Sequence, residues 1–164
     1  MVRPSTATQC GAPRGTLARS MSSATSDPFD LQRFVAAQDP VYPHVTAELA
    51  AGAKTSHWMW FIFPQLQGLG RSGTARRYGI TSLAEAQAYA QHPLLGPRLR
   101  QCGELLMAVP GCSALQIFGS IDALKLRSCL TLFERAVPQE PLFGQLLTKY
   151  YDGVRDDATL QLLG

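Results

Sequence analysis

The sequence predicts an all-α, single-domain protein, and three observations carry that prediction. Helix-start and helix-stop residues recur from Asp27 onward with short connections between them. The intervening apolar residues repeat at spacings of three and four, as in Leu95, Leu99, Cys102 and Leu106, which is the period of a helix buried on one side. No hairpin signals occur, and no second strand candidate exists that could pair with the one dense apolar run, His57 to Phe63. Helix following helix gives a compact multi-helix domain over residues 27–164. A chain of 164 residues is one domain of ordinary size, and 46% apolar against 16% charged residues supplies a core.

The elements follow in order. Asp27-Pro28-Phe29-Asp30 predicts a helix start, with Asp27 as cap, Pro28 at the first helical position and Asp30 at the positive dipole end. Leu31, Phe34 and Val35 form its inner face. Asp39-Pro40 repeats the signal, Val41, Val45 and Leu49 follow, and Gly52 stops the helix. In the run His57-Trp58-Met59-Trp60-Phe61-Ile62-Phe63 periodicity does not separate a buried strand from a short helix. Ser56 is a candidate cap there, and Pro64 ends the run. Gln65 to Ser72 reads as a glycine-rich loop, and Ser72 to Tyr78 as a short helix closed by Gly79. Ser82-Leu83-Ala84-Glu85 is a capping box, so a helix runs to about Gln91. Pro93 opens the next helix, which stops before Pro110-Gly111. Ser113 to Phe118 makes one or two turns ending at Gly119. Ser120 starts a longer helix with Ile121, Leu124, Cys129, Leu132 and Phe133 mostly inward, ended by Pro138. Pro141 starts another with Leu142, Leu146 and Tyr150 on one side, and a last short helix follows Asp156-Asp157.

Charge is unevenly placed. The net charge is +3, but all 12 acidic residues lie at or after Asp27, while Arg3, Arg14 and Arg19 precede it. The domain itself is neutral, which argues against a dedicated nucleic-acid binder. Residues 1–26 read as a disordered tail, or as upstream sequence before a start at Met21. Their acid-poor, Arg- and Ser-containing composition also resembles an organelle transit peptide, and no secretory apolar region is present. No apolar run approaches the roughly 20 residues of a membrane span. Cys10, Cys102, Cys112 and Cys129 have no zinc-site spacing. Cys102 and Cys129 lie within apolar helical patterns and read as buried free thiols, which suits a reducing, cytoplasmic setting.

Four groups of residues are candidates for a site. Gly68-Leu69-Gly70-Arg71-Ser72-Gly73 matches G-x-G-x-x-G, but the flanking strands and the acid of a dinucleotide fold are missing, so no nucleotide cofactor is implied. A glycine loop running into a helix start still offers backbone N–H groups to a phosphate or carboxylate. Gly68, Gly70 and Ser72 with Arg76 and Arg77 (and Arg71 beside them) are the candidate anion-binding residues, against the reading of a plain surface loop. Trp58 and Trp60 can wall a pocket for a flat ligand, with His57 as acid or base and Gln65 as an orienting amide. The competing reading makes them a core plug. Asp122, Lys125 and Ser128 recur at intervals of three on one helix face. A lysine beside a hydroxyl supports proton transfer or nucleophilic chemistry, while an Asp–Lys pair at this spacing also forms ordinary surface ion pairs. His44 and His92 sit at helix boundaries. The three histidines lack ligand spacing, so no metal site is expected.

Several strings are familiar together. Ser26-Asp27-Pro28-Phe29-Asp30-Leu31-Gln32-Arg33-Phe34, the segment Ser56 to Gln65, Gly68-Leu69-Gly70, Tyr78-Gly79-Ile80, His92 to Leu99, and Ile117-Phe118-Gly119 with Asp122 to Phe133 resemble the bacterial family DUF1810. The resemblance covers about residues 26 to 164. It implies a small, mainly helical domain with no established activity. The label calpastatin, carried by some members, describes disordered repeats and does not suit this folded composition. A fainter likeness, in the helix, helix, Gly-Asp rhythm from Asp122 to Gly153, is to the helical NADAR family, which acts on ADP-ribosyl N-glycosides.

Two functional expectations follow. In one, the domain binds an anionic or nucleotide-like small molecule and hydrolyses an N-glycosidic bond, with His57, Asp122 and Lys125 as catalytic candidates. In the other, it is a non-catalytic interaction or adaptor module whose aromatic run is core or a docking face.

Overall fold

Asp27 lies in a turn rather than capping a helix that starts at Pro28. Its carboxylate accepts from the main-chain N–H of Leu31 at 2.7 Å and of Gln32 at 2.9 Å. Asp30 takes a left-handed conformation with φ 51°, so Pro28 lies in the turn and α1 (Gln32–Gln38) starts later than predicted. The computed structural model describes residues 26–164; the predicted N-terminal tail up to residue 25 lies outside the described residues.

Eight further helices follow: α2 (Tyr42–Ala51), α3 (Met59–Ile62), α4 (Gly73–Arg77), α5 (Leu83–Gln91), α6 (Leu95–Ala108), α7 (Ala114–Ala136), α8 (Leu142–Tyr151) and α9 (Asp157–Leu163). The fold is all-α. Among the described residues the one β-type pairing is an isolated parallel bridge between Leu66 and Ile80. Many of the predicted stops and starts are present. Gly52 ends α2 at φ 69°, Ser72 and Ser82 accept from the N–H groups of Ala75 and Glu85, Ser113 and Gln116 form a full capping box, and Asp156 caps α9.

Other signals read differently in three dimensions. Asp39 closes α1 rather than opening α2, whose first turn holds Pro43 in place of Pro40. Ser56 does not cap the Trp-rich helix; its hydroxyl donates to Glu48. Glu85 does not complete its capping box, because its carboxylate accepts from Thr81 and Arg33 instead. His92, placed only at a boundary, caps α6: its Nδ1 accepts from Leu94 N–H at 3.0 Å and Leu95 N–H at 3.2 Å. Gly119 breaks α7 with φ 83° and ψ 169°. Beyond that break Ala123, Leu126, Cys129, Leu130 and Phe133 face inward, while Ile121 and Leu124, expected inside, are 69% and 59% exposed.

α7 lies at the centre, packed on α5, α8 and α9, and α6 packs on α2, α5 and α8. The core is threaded by a chain of rings, Phe34 to Tyr89 at 5.0 Å, Tyr89 to Phe133 at 5.4 Å and Phe133 to Phe143 at 5.8 Å between centroids. Polar groups are built into it, Gln38 among them. The buried Gln38 amide donates to the Phe61 carbonyl at 2.7 Å and to the Tyr89 hydroxyl at 2.9 Å, which removes the penalty an unpaired amide would carry there. Cys102 and Cys129 are buried free thiols, as expected. Burial pushes the Cys102 thiol up to about 12 and Cys129 well above its ordinary value, so neither is a reactive thiolate. No described helix is long and apolar enough to cross a membrane.

Candidate functional site

The site is built on the turn that follows α2. Glu48, on α2, gathers that turn with one carboxylate, accepting from the N–H of Thr55 at 2.7 Å, the N–H of Ser56 at 3.0 Å, the Ser56 hydroxyl and the Trp58 indole N–H at 3.0 Å. Trp58 is thereby seated in the core, 1% exposed, in a cluster with Phe63 and Phe118. Lys54, in the same turn, reaches the broken helix: its N–H donates to the Ile117 carbonyl at 2.9 Å. Its ammonium donates to the Ser56 carbonyl at 2.6 Å, pairs with Asp122 at 2.8 Å, and stands 4.9 Å from the Trp58 ring centroid.

Asp122 is shared. Its second oxygen is 3.6 Å from the Lys125 ammonium, which stands 4.6 Å from the Trp60 ring centroid. Two ammonium groups therefore face one carboxylate, and Lys125 is the looser of the two. Trp60, Gln65 and Lys125 then line a small hollow with Met59, Phe63, Ala75, Tyr78 and Gly79. Its free space is about 10 Å³, room for one water.

The glycine loop leaves this hollow at Gln65. The bridge pins its two ends, with Gln67 N–H donating to the Ile80 carbonyl at 2.8 Å and Ile80 N–H to the Gln65 carbonyl at 2.9 Å. Gly79 is required by contact, since a Cβ there would lie 2.7 Å from the Gln67 Cβ and 2.8 Å from its Cα. Gly68 is required by conformation, at φ 103°. Arg33 fastens the exit of the loop: its guanidinium donates to the carbonyls of Phe29, Asp30, Arg77 and Gly79 and pairs with the buried Glu85 at 2.8 Å.

Outside the hollow, Arg76 and Gln67 line two open grooves. One, of about 520 Å³, also includes Arg33, Arg77, Thr81 and Glu85. The other, of about 440 Å³, includes Gly68, Gly70 and Arg71. Most basic side chains of the fold are neutralised: Arg33, Lys54, Arg98, Arg100, Lys125, Arg127 and Arg155 each face a carboxylate, and Lys149 donates to three carbonyls. Among the described residues Arg71, Arg76, Arg77 and Arg135 have neither kind of partner. Three of those four stand on this loop and the short α4 that follows it.

The predicted site residues thus separate into groups. Trp60, Gln65 and Lys125 meet at the hollow, with Asp122 bonded beside it. Gly68, Gly70, Arg76 and Arg77 border the grooves. Trp58 is core rather than an accessible wall. Ser128 is 6% exposed, and its hydroxyl donates to the Leu124 carbonyl one turn back, so it is not part of a Lys–Ser pair open to a ligand. His57 is exposed and makes no hydrogen bond to another described residue. Ser72 caps α4, which is five residues long, so the loop offers no extended row of free N–H groups. Sequence reasoning missed Glu48, Lys54, Gln67 and Arg33. Each acts on a partner remote in the chain or in another element, and no local pattern marks them. Among the described residues no three His, Cys, Asp or Glu side chains group as a metal ion would require.

Residues 28–163 match the family described as "Protein of unknown function (DUF1810)". The chain belongs to the DUF1810 family. Among solved structures, this DUF1810 domain is similar to the crystal structure of a conserved hypothetical protein from Mycobacterium tuberculosis, Rv1873. The identity is 59% and the TM-score 0.83, over 84% of this chain and 98% of that one. No curated protein matches the chain.

Proposed function

We propose that the DUF1810 domain binds a phosphate-bearing, nucleotide-like small molecule on the glycine loop. The observation that carries this is the clustering of unneutralised arginines. A structural surface disperses or pairs its cations, as this protein does almost everywhere else. Arg71, Arg76 and Arg77 instead border two grooves of ligand size with polar neighbours in Gln67 and Thr81, the larger groove also holding Asp30 and the Arg33-paired Glu85. Guanidinium groups suit phosphate because their planar N–H fork meets two oxygens at once.

Binding is better supported than hydrolysis. Asp122 faces two ammonium groups rather than open space, and no neighbour orients His57. Cleavage of an ADP-ribosyl N-glycoside therefore stands as the first reaction to assay, not as the conclusion. A second reading, docking to another protein, draws support from Ile121 and Leu124, two large aliphatic side chains exposed one turn apart on α7.

A thermal-shift and calorimetric series with pyrophosphate, AMP and ADP-ribose tests the ligand. A compound at 100 times its Kd raises stability by about 2.7 kcal/mol, and Arg76→Gln weakens its binding at least about tenfold while leaving the unliganded melting temperature within about 1 °C. Absence of any shift with all three compounds overturns the reading and leaves docking as the better account.

A further inference from the structure

Residues 70–77 are held to the fold lightly. None is buried, and α4 within them has no buried side chain. Their hydrogen bonds to the rest of the described protein run through three carbonyls toward one end, Thr74 to the Tyr78 N–H at 3.1 Å, Arg76 to the Gln67 amide and Arg77 to Arg33. Segments with so few buried contacts open at a small fraction of the global unfolding free energy. Against them lies the small hollow, lined by Trp60, Gln65, Lys125 and Tyr78 and, from this segment, by Ala75.

Two polar groups of that lining donate no hydrogen bond to a described residue. Lys125 is 3.6 Å from Asp122, whose other oxygen is held by Lys54 at 2.8 Å, and its side chain is only 20% exposed. The Gln65 side-chain amide makes no hydrogen bond to any described residue. An ammonium with one long ion pair and an amide without a protein partner, both partly covered, favour a ligand that brings oxygen atoms to them. Ala75 faces the hollow, and Arg76, the next residue, faces both grooves. A phosphate held by Arg76 is therefore one residue along the chain from the hollow's lining.

We infer that residues 70–77 are a flap over an inner subsite. The ligand is a phosphate ester of a sugar. Its phosphate lies on Arg71 and Arg76, and its hydroxyl oxygens enter beneath the raised flap to Lys125 and Gln65, against the Trp60 ring. This rests on the anion-binding reading above and extends it inward.

Calorimetry with inorganic phosphate and with ribose 5-phosphate separates the two levels. The wild-type protein prefers ribose 5-phosphate by at least about tenfold, a difference of 1.4 kcal/mol. Lys125→Met, which keeps the side chain's length and its contact with Trp60, reduces that preference to under about twofold without changing phosphate binding. Arg76→Gln weakens both compounds. Hydrogen exchange of residues 70–77 slows with ribose 5-phosphate more than with phosphate at equal saturation. Equal affinity of the wild type for the two compounds, or an unchanged preference in Lys125→Met, overturns the inner subsite while the anion site stands. Loss of both compounds from the wild type, or indifference to Arg76→Gln, removes the anion site and the subsite with it. Gln65→Leu gives the same readout should Lys125→Met melt early.

Discussion

Replacing Glu48 with Gln preserves the size of the side chain and removes its charge. The native carboxylate gathers two main-chain N–H groups, a hydroxyl and the Trp58 indole. Partial burial works to raise its pKa, but hydrogen bonds from Ser56, Thr55 and Trp58 outweigh it and hold the group at about 2 against an ordinary 4.5. At about 1.4 kcal/mol per pH unit that drop corresponds to roughly 3 kcal/mol. Solvent around the half-buried side chain screens part of it, leaving about 2 kcal/mol. A carboxyl whose pKa is depressed in the folded state stabilises fully above its unfolded pKa, and the gain fades as pH falls through the folded one. Glu48→Gln is thus about 2 kcal/mol less stable than wild type in urea melts at pH 6. The gap narrows from about pH 4.5 toward pH 2, as wild type protonates and loses its own advantage. A gap below about 0.5 kcal/mol at pH 6, or one that stays constant down to pH 3, would refute the claim that this carboxylate organises the turn beneath the site.

Two further substitutions test the packing. Gly96 lies in α6 where a Cβ would stand 2.2 Å from the Ala90 carbonyl oxygen, so Gly96→Ala forces α5 and α6 apart and lowers stability by about 3 kcal/mol in denaturant melts. Lys149→Met removes an ammonium that donates to the carbonyls of Leu106, Met107 and Val109 at the end of α6. The loss is about 2 kcal/mol, and hydrogen exchange quickens in the last turn of α6 while α7 stays protected.

The helical architecture was legible because its signals are local. Gly52, Ser72, Ser82, Ser113, Gly119 and Asp156 each act on residues within four positions, and each punctuates the chain where the sequence places it. The break at Gly119 was read, and Cys129, Leu132 and Phe133 are inside as expected, but the first turn after the break was misread. The apolar side chains of Ile121 and Leu124 keep a helical spacing, yet the buried face is the one bearing Ala123, Leu126 and Leu130. The site was half legible. Trp60, Gln65, Lys125 and the loop arginines are conspicuous residue types in short strings. What separates an accessible Trp60 from a sealed Trp58 is the carboxylate of Glu48, ten residues upstream on another helix. Lys54 carries no pattern at all until α7 brings Asp122 beside it.

Arg33 has a consequence for how the loop can move. One planar group joins the opening turn of the fold, the exit of the loop and the first turn of α5. The loop is therefore riveted at its Arg77–Gly79 end and comparatively loose toward Gly70, so its motion is a swing about a fixed post rather than a detachment. The same rivet couples the outermost residues at 29–30 to the arginine-lined grooves: a disturbance at the edge of the fold is felt at the binding face, although nearly fifty residues of chain separate Asp30 from Gly79.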